Sequence, residues 1–174
     1  MKKTYALMSS LIVITLLFVS CSDDDPKCIE DLTGELSNSE TAFAHKWDLA
    51  EIVSEKEIDL TDDNVDNPSK NLYEQYSECQ KDAFFNFKSD RSYTSEQGTT
   101  ASNCSNKRTS TGTWKLVDNT ILTLVDFCSS RTISIELNED KTAFFTEEDF
   151  IFTDVKGNRI TSKIKFTYNK VVSN

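Results

Sequence analysis

"GTWKLVDNTILTLVDF", residues 112–127, holds two runs of alternating apolar and polar side chains joined by the short link Val117-Asp118-Asn119. Period-two alternation puts Trp114 and Leu116 on one face of a strand, and Leu122 and Leu124 on one face of the next. Asp and Asn suit a tight turn because their short polar side chains bond the local backbone. The stretch therefore reads as an antiparallel hairpin with one buried face.

The same pattern recurs along most of the chain. "HKWDLAEIV" (45–53), "AFFNFK" (83–88), "RSYTSE" (91–96), "RTISIEL" (131–137), "TAFFTEE" (142–148), "DFIFTDV" (149–155) and "RITSKIKFTYNKVV" (159–172) are rich in Thr, Ile, Val and aromatic residues, the residues that fit a pleated, half-buried surface. Short polar links such as "KSD", "NED" and "VKGN" separate them. Near-sequential strands joined this way form a meander. Eight or nine of them close most economically into a barrel without open edges. The expected fold is all-β: an eight- to nine-stranded antiparallel up-and-down barrel, with a two-sheet sandwich as the rival that pattern alone leaves open. One segment departs from period two. "NPSKNLYEQYSEC" (67–79) spaces Leu72, Tyr76 and Cys79 along one helical face, which predicts a short helix between the first two strands, capped by Asn67 or Ser69.

The N-terminus carries a different message. Lys2 and Lys3 precede the uncharged apolar segment Ala6–Ser20, which is shorter than the roughly 20 residues a membrane-spanning helix needs and has the proportions of a signal peptide. Phe18-Val19-Ser20-Cys21 resembles a bacterial lipobox, in which the cysteine is acylated and becomes the new N-terminus. The expectation is a signal peptide at 1–20 and lipidation at Cys21, with several acyl chains giving stable anchoring. Asp23-Asp24-Asp25 follow at once and resemble the acidic signal that sends some lipoproteins to the outer face of the outer membrane. Residues 21–43, acidic and broken by Pro26 and Gly34, read as a tether, and 44–174 as the barrel domain.

Cysteine usage fits an envelope location. Of the five cysteines, assigning Cys21 to lipid leaves Cys28, Cys79, Cys104 and Cys128, an even set that an oxidising compartment can pair in three ways. None forms a CxxC or Cys/His zinc pattern. The formal charge is −10, falling to −12 once Lys2 and Lys3 leave with the signal. Such a chain is repelled by phosphate backbones, so nucleic acid is not an expected partner. The membrane would be reached through the lipid on Cys21. "TDDNVDN" (61–67) places Asp62, Asn64 and Asp66 at calcium-loop spacing, but Asn67 stands where the loop Gly belongs and Tyr73 where its Glu belongs. It reads as an acidic turn, and no metal or cofactor is expected.

From about Ala44 to Val172 the chain resembles the bacterial lipocalin-like lipoproteins. The resemblance rests on Trp47 in "HKWDL", on "CQKDAFFNFKSDRSY" with Cys79, Asp82 and Tyr93, on Cys104, on the Gly-x-Trp of "GTWKLVDNTILTL", and on the alternating final strand. The chain departs from the family in two places. His45 stands where a small residue is usual, and Asp90-Arg91 replaces the common Asp-Gly. The resemblance implies a Cys79–Cys104 disulfide, worth roughly 3.5 kcal/mol for a loop of about 25 residues in the chain-entropy model. With that pairing adopted, Cys28 and Cys128 are left to each other.

Catalysis has little to stand on. His45 is the only histidine, and no phosphate-cradling or nucleophile-elbow glycine motif occurs among four glycines. Glu147 and Asp149 share a strand face, and a bend between two strands accounts for the acidic Glu147-Glu148-Asp149 run. The chain is expected not to be an enzyme. A binding module is the stronger expectation. Trp47, Phe85, Phe87, Tyr93, Trp114, Phe150, Phe166 and Tyr168, with the alternating leucines and isoleucines, would face a barrel interior that holds a small apolar ligand or is filled by its own side chains. The third expectation is an accessory role, docking onto another envelope protein.

Overall fold

In the computed structural model, residues 28–61 and 63–172 are described. The signal segment, Cys21, Asp23-Asp24-Asp25 and Asp62 lie outside them. The elements are α1 (Asn38–Phe43), β1 (Lys46–Ile58), β2 (Ser69–Asn71), a 3-10 turn (Tyr73–Gln75), α2 (Glu78–Lys81), β3 (Phe84–Phe87), β4 (Ser92–Gln97), β5 (Arg108–Val117), β6 (Ile121–Asp126), β7 (Ser129–Leu137), β8 (Ala143–Thr153) and β9 (Arg159–Lys170).

The hairpin at 112–127 forms as the alternation requires, with Trp114 opposite Leu124 and Leu116 opposite Leu122. Asp118 and Asn119 both take positive φ (51° and 58°), and Thr120 N–H donates to the Val117 carbonyl. This is the turn geometry that matches strand twist in a hairpin. Successive antiparallel pairings run β1-β3-β4-β5-β6-β7-β8-β9, and β9 returns to β1 from Trp47↔Lys170 to Ser54↔Ile164. Eight strands thus close a barrel, which settles the barrel over the sandwich. β2 is an extra strand. It pairs with the far half of β1 (Val53↔Asn71, Ile58↔Ser69), on the edge whose near half holds β3.

Several expectations need correction. The runs 142–148 and 149–155 form one strand, β8, because Glu147, Glu148 and Asp149 keep pairing across β9 with Lys165, Ile164 and Lys163. Opposite charges on facing strands hold the register where a bend was expected. The helix between the first strands is broken into β2, the 3-10 turn and α2. Its cap is Ser77, which forms a capping box with Gln80, and not Asn67 or Ser69.

The largest correction concerns the tether. Residues 28–43 are folded onto the barrel. Ile29 N–H reaches the Cys128 carbonyl and Leu32 N–H donates to Thr113 Oγ1 at 2.8 Å. α1, started by a Ser37–Glu40 capping box, then places Phe43 (2% exposed) over one end of the barrel. Cys28–Cys128 fastens this strap at the opposite end, and Cys79–Cys104 forms the second disulfide.

Two hydrophobic clusters result. The barrel cluster contains Phe43, Trp47, Phe85, Phe87, Tyr93, Trp114, Leu122, Leu124 and Phe144. The second lies where β1, β8 and β9 extend past the ring, and gathers Ile52, Ile58, Leu72 and Ile164 with Tyr76, Phe150, Phe152 and Phe166.

Candidate functional site

The two barrel ends differ in what their inward side chains do. At the closed end, with the α1 plug and the β3–β4, β5–β6 and β7–β8 turns, aromatic rings fill the interior. Phe43 lies 4.9 Å from Trp47 and 5.1 Å from Phe87, and Phe87 5.2 Å from Trp114, between ring centroids. These are ordinary separations for interacting rings. Trp47 Nε1 donates to the Phe43 carbonyl at 2.9 Å and Trp114 Nε1 to the Lys88 carbonyl at 3.0 Å, so burial leaves neither indole unsatisfied.

Arg91 anchors this end. It takes a positive φ (67°), the region that glycine favours. Its guanidinium pairs with both oxygens of Glu40, at 2.7 and 3.1 Å, and donates to the Gly34, Glu35 and Trp114 carbonyls. Both side chains are buried (7% and 4% exposed). Burial alone would raise the Glu40 carboxyl, but Arg91 and the Ser37 and Leu116 N–H donors outweigh it and hold the group at about 2. Arg91 is therefore a clamp that fixes the strap and plug.

The open end is built from the same strands with other residues. A cavity of about 350 Å³ is lined by Phe85 and Tyr168, and by Ser95, Gln97, Arg108, Ser110 and Arg131. Alternation explains the set. Ser95 and Gln97 continue the inward parity of Tyr93, Arg108 and Ser110 that of Trp114, and Arg131 that of Ile133 and Ile135. Phe85 and Tyr168 (5.2 Å apart) form its aromatic side, joined below to Phe87 and Phe144 by stacked contacts at 5.6 and 4.8 Å. The size lies within the range of small-molecule sites, about 300–1,000 Å³.

Around this cavity the polar groups are differently engaged. Tyr93 O–H donates to Asp126 at 3.0 Å. Burial, then that bond, push its phenol up to about 12. Burial likewise takes Tyr168 to about 12, with nearby Arg131 opposing. Arg108 and Arg131 are exposed and have no salt-bridge partner among the described residues. An adjoining hollow of about 470 Å³ shares Gln97 and Arg108 and runs beside Cys79 and the 103–106 loop. Asp82 holds the neighbouring turn at residues 98–101. Burial raises that carboxyl, but N–H groups of Ala101, Gly98 and Thr100 and the Thr100 hydroxyl win and lower it.

The predicted interior residues therefore divide. Trp47, Phe87, Tyr93 and Trp114 are packing of the barrel, while Phe85 and Tyr168 line the cavity. Phe150 and Phe166 belong to the second cluster and face each other there, at 5.7 Å, instead of joining the barrel interior. Phe43, Phe144, Ser95, Arg108, Ser110 and Arg131 were not foreseen. Phe144 was legible, since it shares the parity of Phe150 and Phe152 on β8. Arg108 and Ser110 precede the apolar part of β5, so the pattern began too late to include them.

The other candidates lie elsewhere. His45 precedes β1 at the closed end, where burial first and Lys170 second lower its pKa. Glu147 and Asp149 line an outer gap of about 420 Å³ with Lys163 and Lys165. That gap opens where β7 and β8 separate beyond Ile135↔Thr146. In the acidic turn, Asp59 accepts from Thr61 and Asn67, and Asp66 pairs with Lys156 at 2.6 Å.

Residues 21–170 match the family model described as "Domain of unknown function (DUF5004)". No curated protein matches the chain.

Proposed function

The chain belongs to the DUF5004 family, and we propose that it is a lipid-anchored lipoprotein of the bacterial outer membrane whose lipocalin-like barrel binds a small ligand in its open end. The observation that carries the binding role is the cavity between Phe85, Tyr168 and the polar side chains of β4, β5 and β7. A filled barrel with a flat end would offer no such concavity. The expected ligand has an apolar part for the aromatic side and a polar part for the rim. It is therefore amphipathic rather than purely apolar.

The anchoring half of the proposal rests on the signal segment and lipobox-like Phe18–Cys21, with the Asp23–Asp25 run favouring exposure at the cell surface. The two disulfides support it, since they suit an oxidising compartment and leave Cys21 over. In this reading the chain is a binder and not a catalyst. His45, Glu147 and Asp149 lie apart from the cavity, and nucleic acid is not a partner.

Native mass spectrometry of the protein purified from its own host tests the binding role. A co-purifying small molecule, lost in Phe85→Ala, is the expected result; repeated recovery of the empty chain from native membranes would contradict it. A second reading, docking to an envelope protein, is favoured by the β8 edge from Glu147 to Thr153, which continues past its pairing with β7 and presents Ile151 (59% exposed). It predicts a reproducible envelope partner lost on Ile151→Lys.

A further inference from the structure

Two of the chain's four arginines, Arg108 and Arg131, line the cavity at the open end. We infer that this cavity selects an acidic amphiphile, holding a carboxylate or similar anion between Arg108 and Arg131 while the apolar stem lies on Phe85 and Tyr168. The inference rests on the binding role proposed above and names the chemistry of its ligand.

Arg91 differs from both. That guanidinium is buried and fully engaged by Glu40 and three carbonyls. Arg108 and Arg131 have no salt-bridge partner among the described residues, although the chain carries 29 acidic residues against 19 basic ones. In a chain of that balance, two arginines at one opening with no salt-bridge partner among the described residues make a local positive site, the nearby Asp126 carboxylate being engaged by the Tyr93 hydroxyl. Glu96 is the one carboxylate on the lining. It lies on β4 between Ser95 and Gln97, so its parity directs it away from the interior. A planar guanidinium presents a fork of donors matched to the oxygens of a carboxylate or phosphate, which a lysine does not. The Ser95 and Ser110 hydroxyls and the Tyr168 phenol supply further neutral donors around the same space. Both arginines are exposed, so their pairing with an anion is screened by salt.

The test is calorimetric titration of the full chain carrying Cys21→Ala with decanoate and with decan-1-ol at neutral pH. Decanoate is expected to bind at least about tenfold more tightly, the advantage of charge-assisted hydrogen bonds over neutral ones. Arg108→Gln with Arg131→Gln should remove that advantage, bringing decanoate's affinity down to that of the alcohol measured on the same variant, and added salt should weaken decanoate more than the alcohol. The double variant removes no buried contact, and an unchanged melting temperature confirms that it is folded. Equal affinities for acid and alcohol, or an advantage that survives the double variant, would overturn the inference while leaving the binding role in place. Binding of neither probe would count against both.

Discussion

The closed and open ends of the barrel are made by the same strands, yet their polar groups have opposite fates. At the closed end, both tryptophan N–H groups, the Arg91 guanidinium and the Glu40 carboxylate are satisfied internally, and the rings of Phe43, Trp47, Phe87 and Trp114 fill the remaining space. At the open end, Ser95, Gln97, Arg108, Ser110 and Arg131 face a cavity. Buried polar groups are costly unless paired, so the polar groups paired at the closed end belong to the structure, while those left facing solvent at the open end are free for the binding role proposed above. The open end is where side chains can change without unfolding the barrel.

Four variants or conditions test that contrast. The largest effect is expected from Arg91→Ala, which leaves Glu40 charged and buried and should cost about 3–5 kcal/mol in urea unfolding. Arg91→Gly relieves the positive φ but removes the same partner, so it should remain well below the parent. A variant as stable as the parent would show that the clamp does not hold the closed end. Next comes Gly112→Ala on β5. An added Cβ would collide with the Val125 backbone carbonyl, which cannot move as a flexible side chain could, and a loss of roughly 1–3 kcal/mol is expected from overpacking.

The third outcome concerns acid. Glu40 is held at about 2, below its ordinary value of 4.5. A depressed carboxyl contributes stability that is complete above the ordinary value and is lost as pH falls toward the folded one. Denaturant midpoints should therefore fall between about pH 4.5 and pH 2. Glu40→Gln should be less stable at neutral pH and lose part of that slope; an unchanged slope would place the acid sensitivity in other carboxylates. The smallest effect belongs to the open end. Arg108→Gln and Arg131→Gln should each shift stability by no more than about 0.5 kcal/mol, as exposed substitutions do. A larger loss from either would mean that the open end is also structural.

What the sequence revealed follows the same division. Strand existence and the apolar inward residues of β3 to β7 were legible because alternation of large apolar residues with Thr, Lys and Ser marks a half-buried strand. The β5–β6 turn was legible from Asp118 and Asn119. The strap and plug were not, because residues 28–43 attach through a few long-range contacts in an acidic, polar segment: Leu32 N–H to Thr113, Glu40 to Arg91, and the Phe43 ring. No local period announces such contacts. The Asp90-Arg91 departure was visible in the chain, but its meaning required Glu40, which lies 51 residues away. The cavity was hidden for a related reason. Inward polar residues such as Arg108 look like loop residues until the strand that carries them is seen to begin there, and the second cluster took Phe150 and Phe166 away from the interior to which alternation assigned them.

In the proposed role, ligands enter the open end while the closed end stays filled. Nitrogen-15 NMR of the chain carrying Cys21→Ala, titrated with decanoate, tests it most directly. The backbone amides of Ser95, Gln97, Ser110 and Arg131 should shift together and saturate, with the indole N–H signals of Trp47 and Trp114 unmoved. Shifts concentrated on the two indoles and on Phe43, with the open-end amides still, would contradict the account.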